Sequence, residues 1–157
     1  MNRLFLIGAI VMLLSGCSDN EEPSFCPSCL NPILDSSATI IVRRVLDGDT
    51  FKFTIGTDTI DTRILGIDAF ETKHGTHLTD QATAAGIPVD SALVLGLRAK
   101  EFADSLLTTR EVRIFRDPSE PYADAFGRLL RHVFFYSGSS FIAYDSLMLA
   151  KGFALPD

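Results

Sequence analysis

Apolar and polar positions alternate over residues 51–55, where Phe51, Phe53 and Ile55 are separated by Lys52 and Thr54. A period of two predicts a strand with one buried face. Residues 39–45 are rich in β-branched side chains and predict a strand before it, with Asp47-Gly48 as the turn between them. Gly56-Thr57-Asp58 reverses the chain and residues 60–67 predict a third strand, so the first three form an antiparallel meander. Residues 73–90 contain Gly75, Gly86 and Pro88 and read as a long loop with at most one helical turn around 80–85. The period then changes. Ala92, Leu95, Ala99, Phe102 and Leu106 recur at spacings of three and four, which predicts a helix capped by Asp90 or Ser91 with one face toward a core. Val112, Ile114 and Phe115 mark a fourth strand and residues 126–136 a fifth. Ser137-Gly138-Ser139 is a turn, and a short helix over 146–151 is ended by Gly152.

Five strands with a helix between the third and fourth suit an α+β fold, a five-stranded Greek-key barrel of the OB type with two or three helices. No internal repeat is visible.

The ends of the chain change the picture. Arg3 precedes an apolar run over residues 4–14, followed by Leu14-Ser15-Gly16-Cys17. A basic start, a short apolar core and small residues make a secretory signal, too short to remain as a membrane-spanning helix. LSGC resembles a bacterial lipobox, with Cys17 as the lipidated first residue of the mature chain. The alternative is an ordinary signal peptide with an incidental cysteine. Several acyl chains would hold the protein stably on a membrane, at the outer membrane or cell surface rather than the inner membrane. Residues 18–38 carry Asp19, Glu21, Glu22 and three prolines without apolar periodicity, and read as a flexible acidic tether. The expected organisation is therefore a signal over 1–17, a tether over 18–38 and one domain over 39–157. Cys26 and Cys29 are expected to pair as a local disulfide in an oxidising envelope. A redox site would need a surrounding strand and helix, and a metal knuckle would need two more ligands nearby.

The formal net charge is −6, one unit more negative once Arg3 leaves with the signal. Coating nucleic acid by bulk electrostatics calls for a basic surface, so the charge argues against it. It leaves room for an enzyme that grips phosphate locally with the help of a divalent cation.

Three separated stretches supply such groups: VLDGDTFKF at 45–53, RILGIDAFET at 63–72 and DAFGRLL at 124–130. Asp49, Asp68 and Glu71 are oxygen donors suited to a hard cation. Arg63 and Arg128 offer planar forks of donors that match phosphate oxygens. Each residue has a plainer reading: a turn for Asp47-Gly48-Asp49, a paired surface arginine for Arg63, loop acids for Asp68 and Glu71, and a solvated strand face for Arg128, as expected for Arg131. His74 and His77 read as solvated loop histidines, and His132 as structural or exposed. Lys73 is a candidate for steering phosphate.

DGDT, RILGID, ETKH, the helix residues Gly96, Ala99 and Phe102, FGRLL and the late LMLAKGFA together resemble the thermonuclease (staphylococcal nuclease-like) family, over residues 39–155. The resemblance implies an OB-fold endonuclease that uses one calcium ion to cleave DNA and often RNA. It implies Asp49, Asp68 and the backbone carbonyl of Ala69 as calcium ligands. Glu71 would be the base for the attacking water, Arg63 and Arg128 the groups that hold the scissile phosphate, and Phe126 a stacking surface for a base. The chain is expected to act as a monomer without a protein partner. The alternative is a catalytically inactive OB-fold lipoprotein that binds nucleic acid or protein. Two departures stand out. Ala69-Phe70 occupies the place where the family commonly has Thr-Pro, and the chain ends at Asp157, where the family continues with further covering residues.

Overall fold

The computed structural model describes residues 37–157. The expectations for the signal, for Cys17 and for the Cys26–Cys29 pair lie outside the described residues. Strand β1 (Ser37–Val45) begins two residues inside the expected tether. It is followed by β2 (Thr50–Ile55), β3 (Asp58–Ile64), β4 (Ile67–Ala69), α1 (Thr76–Ala85), α2 (Val89–Leu107), β5 (Glu111–Phe115), β6 (Leu129–Ser137), β7 (Ser140–Ala143), α3 (Tyr144–Ala150) and β8 (Ala154–Pro156).

The main sheet runs β3-β2-β1-β5-β6-β7, and a parallel β3–β6 pairing closes its first five strands into a barrel. That closed order, with two helices between β3 and β5, is the OB-type Greek-key arrangement the strand pattern predicts, with three helices in all. The first three strands are the expected antiparallel meander. β1 serves two neighbours because its register shifts between Val42 and Arg44. Its first half pairs with β5 and its second with β2, and the bulge supplies the bend that closure requires. Val42, Phe51, Phe53, Ile64, Leu107, Ile114, Leu129 and Val133 fill the interior with Tyr144 and Met148 of α3.

Several expectations change. The third strand is not continuous over 60–67. Gly66, at φ 82°, turns the chain after Ile64, and β4 leaves the barrel to pair with β8. The loop expected over 73–90 contains a ten-residue helix, α1, closed by Gly86 in the left-handed conformation. Its buried face is Leu78, Gln81 and Ala82, too weakly apolar to register as a helical period. Helix α2 starts at Val89 behind Pro88, not at a cap on Asp90 or Ser91. Its buried stripe is Ala92, Gly96, Ala99, Ala103 and Leu107, one step round from the predicted one, and Leu95, Phe102 and Leu106 flank it half-buried. Small residues face inward because α2 lies close to the backbone below. The fifth strand begins at Leu129, not 126, and β7 adds a hairpin beyond the predicted turn. Arg131 is not on a solvated face: it is fully buried (0% exposed).

Phe70 follows β4 directly. It is buried in a second small cluster with Leu78 and Ala82 of α1 and Ala92 of α2, a burial worth about 1.5–3 kcal/mol. Packing under α1 anchors the segment after β4.

Gly96 makes the closest approach. A Cβ there would run into the carbonyl oxygens of Phe70 and Glu71. Helix propensity alone favours Gly96→Ala by up to about 1 kcal/mol. We predict the opposite sign, a destabilisation of about 1–3 kcal/mol from overpacking, read by urea denaturation. A stabilised variant would refute the close approach.

Candidate functional site

One end of the barrel gathers the charged residues. Asp49 ends the DGD turn, where its N–H donates to Asp47 Oδ1 (3.2 Å). Gly48 lets this turn lie against Ala69, Ala99 and Met148 without a side chain in the way, and Tyr144 Oη donates to its carbonyl (2.7 Å). Lys100 Nζ of α2 donates to the Leu46 carbonyl (2.6 Å). The turn is thus held from three sides, and it delivers Asp49 to the interior (1% exposed).

Asp49 is the hub. Its Oδ1 accepts from Arg63 Nη1 (2.6 Å) and Thr50 Oγ1 (2.9 Å), and its Oδ2 from the Ala69 N–H (2.6 Å). Arg63, on β3, also donates through Nη2 to Asp68 Oδ1 (2.9 Å), and Asp157 Oδ2 stands 3.9 Å from it. The guanidinium therefore bridges two carboxylates. Asp68 accepts in addition from Gln81 Nε2 (2.8 Å), and His77 Nε2 lies 3.3 Å away. Glu71 leaves its carboxylate about half exposed, 4.0 Å from His77.

The opposite wall is the turn before β6. Asp124 accepts the N–H groups of Phe126 and Arg128 on Oδ1 (2.9 Å each) and Arg128 Nε on Oδ2 (2.6 Å). Arg128 Nη1 reaches Thr50 Oγ1 (3.4 Å), which links this wall to the Asp49 hub. Phe126 is 85% exposed, with the Arg128 guanidinium 5.5 Å from its ring centre. Arg63, Asp68, Glu71, Phe126 and Arg128 line one open cleft of about 730 Å³, together with His77, Asp124, Leu130 and Asp157. Asp49 and the Ala69 backbone lie beneath it. Lys73 is exposed in the segment before α1 and does not line the cleft. His74 is exposed, as expected. His77 is not a loop residue: it stands in the first turn of α1 and faces Asp68. His132 is half-buried on β6, 3.7 Å from Asp117 and 3.9 Å from Asp145.

Gln81, Asp124 and Thr50 went unnoticed in the sequence. Asp124 carried a signal, since an acid four residues before Arg128 across Gly127 is the spacing of a side-chain-stapled turn. Gln81 had only a weak helical register with Leu78 and Ala82.

The carboxyls sit in different electrostatic states. Burial opposes the charge on Asp68, but hydrogen bonds from Gln81 and Arg63 outweigh it and hold Asp68 below the usual carboxylate range. Asp124 is also held low, because the Arg128 and Phe126 donors overcome its burial. Asp49 is pushed up to about 8, first by burial and then by the charge of Asp47, against the pull of Arg63 and the Ala69 N–H. Arg63 loses to burial but gains more from Asp49 and Asp68, and is held above its ordinary value. The arginine gains from the pair, while the buried acid still bears the desolvation cost.

Oxygen donors in excess of cations suit a hard divalent ion. Asp49, Asp68 and the Ala69 carbonyl are the oxygens such an ion would use. In this arrangement each already accepts hydrogen bonds, the first two from Arg63 and the last from Gln81 Nε2 (2.8 Å). Among the described residues, no three His, Cys, Asp or Glu side chains form a ready-made metal centre. Cation binding would thus require Arg63 to relax its hold on the two carboxylates, freeing its fork for an anion.

No protein-family model matches the sequence. The chain is similar to the uncharacterized protein MJ1439 of Methanocaldococcus jannaschii, 28% identical over 116 residues, which covers 72% of this chain and 56% of that protein. The chain therefore spans about half the length of the curated relative it matches.

The raised Asp49 generates a pH prediction. In the unfolded chain this carboxyl loses its proton near 3.8, and in the folded protein only near 8. Between those values the folded state binds the extra proton, so the contribution of Asp49 to stability is full at the acid end and falls as pH rises through the window. Asp49→Asn removes that loss and keeps an acceptor for the Ala69 N–H. Its melting temperature should exceed that of the wild type at pH 8, by a margin that shrinks toward pH 4. A lower melting temperature at pH 8 would show that the pair with Arg63 outweighs the burial.

Proposed function

We propose that this protein is an exported, membrane-anchored, calcium-dependent phosphodiesterase of the thermonuclease type, acting as a monomer on DNA and also on RNA. The observation that carries the reading is that Arg63 of β3 and Arg128 of the turn before β6, far apart in sequence, open onto the same cleft as Asp68 and Glu71. Cleaving a phosphodiester needs a group that holds the phosphate as its charge grows, a group that prepares a water, and neutralisation nearby.

The chain's own residues can divide this work. Arg128, aimed by Asp124, and Arg63, once it relaxes from the carboxylates, donate to the phosphate oxygens where negative charge develops. Glu71 is half exposed and accepts a proton from a water in the cleft. Phe126 offers an open ring for stacking a base, an interaction indifferent to sequence. Calcium held by Asp49, Asp68 and the Ala69 carbonyl would supply Lewis-acid polarisation of a phosphoryl oxygen. Among the described residues no helix is long and apolar enough to cross a membrane, and in this reading anchorage rests on lipid at Cys17, at the outer membrane or cell surface.

One observation favours the alternative of a non-catalytic binding module: Arg63 closes on both carboxylates, while the exposed Phe126 stays available for stacking. Cleavage assays separate the two. The purified protein should cut single- and double-stranded DNA with calcium and stop with chelator. Glu71→Gln should cripple turnover. Arg63→Ala and Arg128→Ala should each lose about 10²–10³ in kcat, or roughly 2.7–4 kcal/mol. Tight binding of oligonucleotides by a folded protein that never cleaves them would establish the binding module instead.

A further inference from the structure

The β4–β8 ladder ends at Ala69, and residues 70–75 carry Glu71 onward without strand or helix. Besides the packing of Phe70, a buried polar side chain from α1 continues the order past the ladder. Gln81 is 3% exposed. Its Nε2 donates to Asp68 Oδ2 (2.8 Å) and to the Ala69 carbonyl (2.8 Å), and its Oε1 accepts the Glu71 N–H (2.9 Å). Three successive groups of the candidate site are thus tied to one carboxamide.

The chemistry of the segment selects glutamine. It presents two acceptors, a carboxylate and a carbonyl, and then one donor. A carboxamide offers two N–H donors on one side and an acceptor on the other, so only one orientation of the Gln81 amide satisfies all three. Glutamate in its ionised form has acceptors only, and would face the Asp68 carboxylate as a like charge. Methionine has nearly the same shape and neither function. α1 itself is seated by Leu78 and Ala82 against Phe70 and Ala92, so the carboxamide stands on a packed base. With Oδ2 of Asp68 engaged by Gln81, Oδ1 is the oxygen turned to Arg63 and His77.

We propose that Gln81 is a positioning residue of the candidate site, fixing the Asp68 carboxylate, the Ala69 carbonyl and the Glu71 backbone as one unit. This rests on the reading of the cleft as a phosphodiesterase site. Outer partners that orient ligands and bases typically govern metal affinity or activity by about 10–100-fold. α1 is therefore part of the catalytic framework.

The test uses the full-length protein with Gln81→Met, Gln81→Glu and a control, Glu101→Gly, which weakens α2 at an exposed position without touching α1 or the polar cluster. Two quantities are read well below each variant's melting temperature: kcat and KM on DNA, and amide hydrogen exchange at Glu71 against the β4–β8 ladder amides. Gln81→Met should lower kcat about 10–100-fold with little change in KM, and speed exchange at Glu71 while the ladder stays protected. Glu101→Gly should lower the melting temperature and leave kcat near that of the wild type. Should Gln81→Met fail to fold, Gln81→Glu keeps the volume and an acceptor for the Glu71 N–H but loses both donors, and should show the same fall in kcat. Near-normal kcat together with unaltered Glu71 exchange in a folded Gln81 variant would overturn the proposal. If the wild type cleaves nothing, the reading of the cleft fails, and the exchange arm still decides the role of Gln81: unaltered protection at Glu71 overturns it, and faster exchange confined to that segment supports it.

Discussion

The buried Asp49 carboxyl is the constraint on which the rest depends. It receives Arg63 from β3, the Ala69 N–H from the end of β4 and Thr50 from the start of β2. Three strands therefore meet on one side chain that water scarcely reaches. An acid in that position is costly unless partnered, and removing one partner of a buried pair typically costs about 3–5 kcal/mol. Its surroundings answer to that need. Gly48 permits the close approach of the turn, Tyr144 pins it from α3, and Lys100 pins it from α2. A protein selected for stability alone would place an apolar group there. A carboxyl at this position instead holds Arg63 and the Ala69 backbone beneath the cleft.

How much of this could be read from the chain differs by physical cause. The strands were legible because a half-buried strand must alternate, and Phe51, Phe53 and Ile55 do. Asp49, Asp68, Glu71, Arg63 and Arg128 stood out because charged groups in turns and strand ends are conspicuous, and the fold brings them to one end of the barrel. α1 was hidden because its buried face consists of one leucine, one glutamine and one alanine, which carry little hydrophobic signal. The break at Gly66 was hidden because β-branched composition continues across it. Arg131 was misplaced because a sequence cannot distinguish a solvated arginine from one whose partners include the backbone carbonyls of Tyr122 and its own neighbour Leu130. Gln81 and Asp124 are ordinary polar residues until tertiary structure sets them beside the acids and the arginine.

At the site the acids outnumber the arginines: Asp49, Asp68, Glu71, Asp124 and Asp157 against Arg63 and Arg128. An acidic protein meets a polyanion only where its own cations are concentrated and its acids neutralised. Arg63 engages two of those acids internally, while Glu71 stays half exposed at the cleft. The price is that one guanidinium is shared between holding the fold and facing the cleft. Any ion that took over Asp49 and Asp68 would release Arg63 at the moment an anionic ligand arrived, so cation and phosphate would each favour the binding of the other.

The second wall depends on an interior cation in the same way that the first depends on an interior acid. Arg131 is buried on β6, yet it donates through Nη1 to the Tyr122 carbonyl (3.0 Å) and lies 4.5 Å from the Tyr122 ring centre. That contact fastens the stretch before β6, and Asp124 follows two residues later to staple the turn that presents Phe126 and Arg128. The order runs from the core outward: Arg131 holds Tyr122, Tyr122 sets the start of the turn, Asp124 closes it, and Arg128 emerges with its direction settled. Asp49 likewise holds Arg63 and Ala69, and through Ala69 and Gln81 it reaches Glu71. Each exposed group at the cleft stands at the end of such a chain of buried polar contacts. The charges inside this small barrel are best understood as the inner ends of those chains.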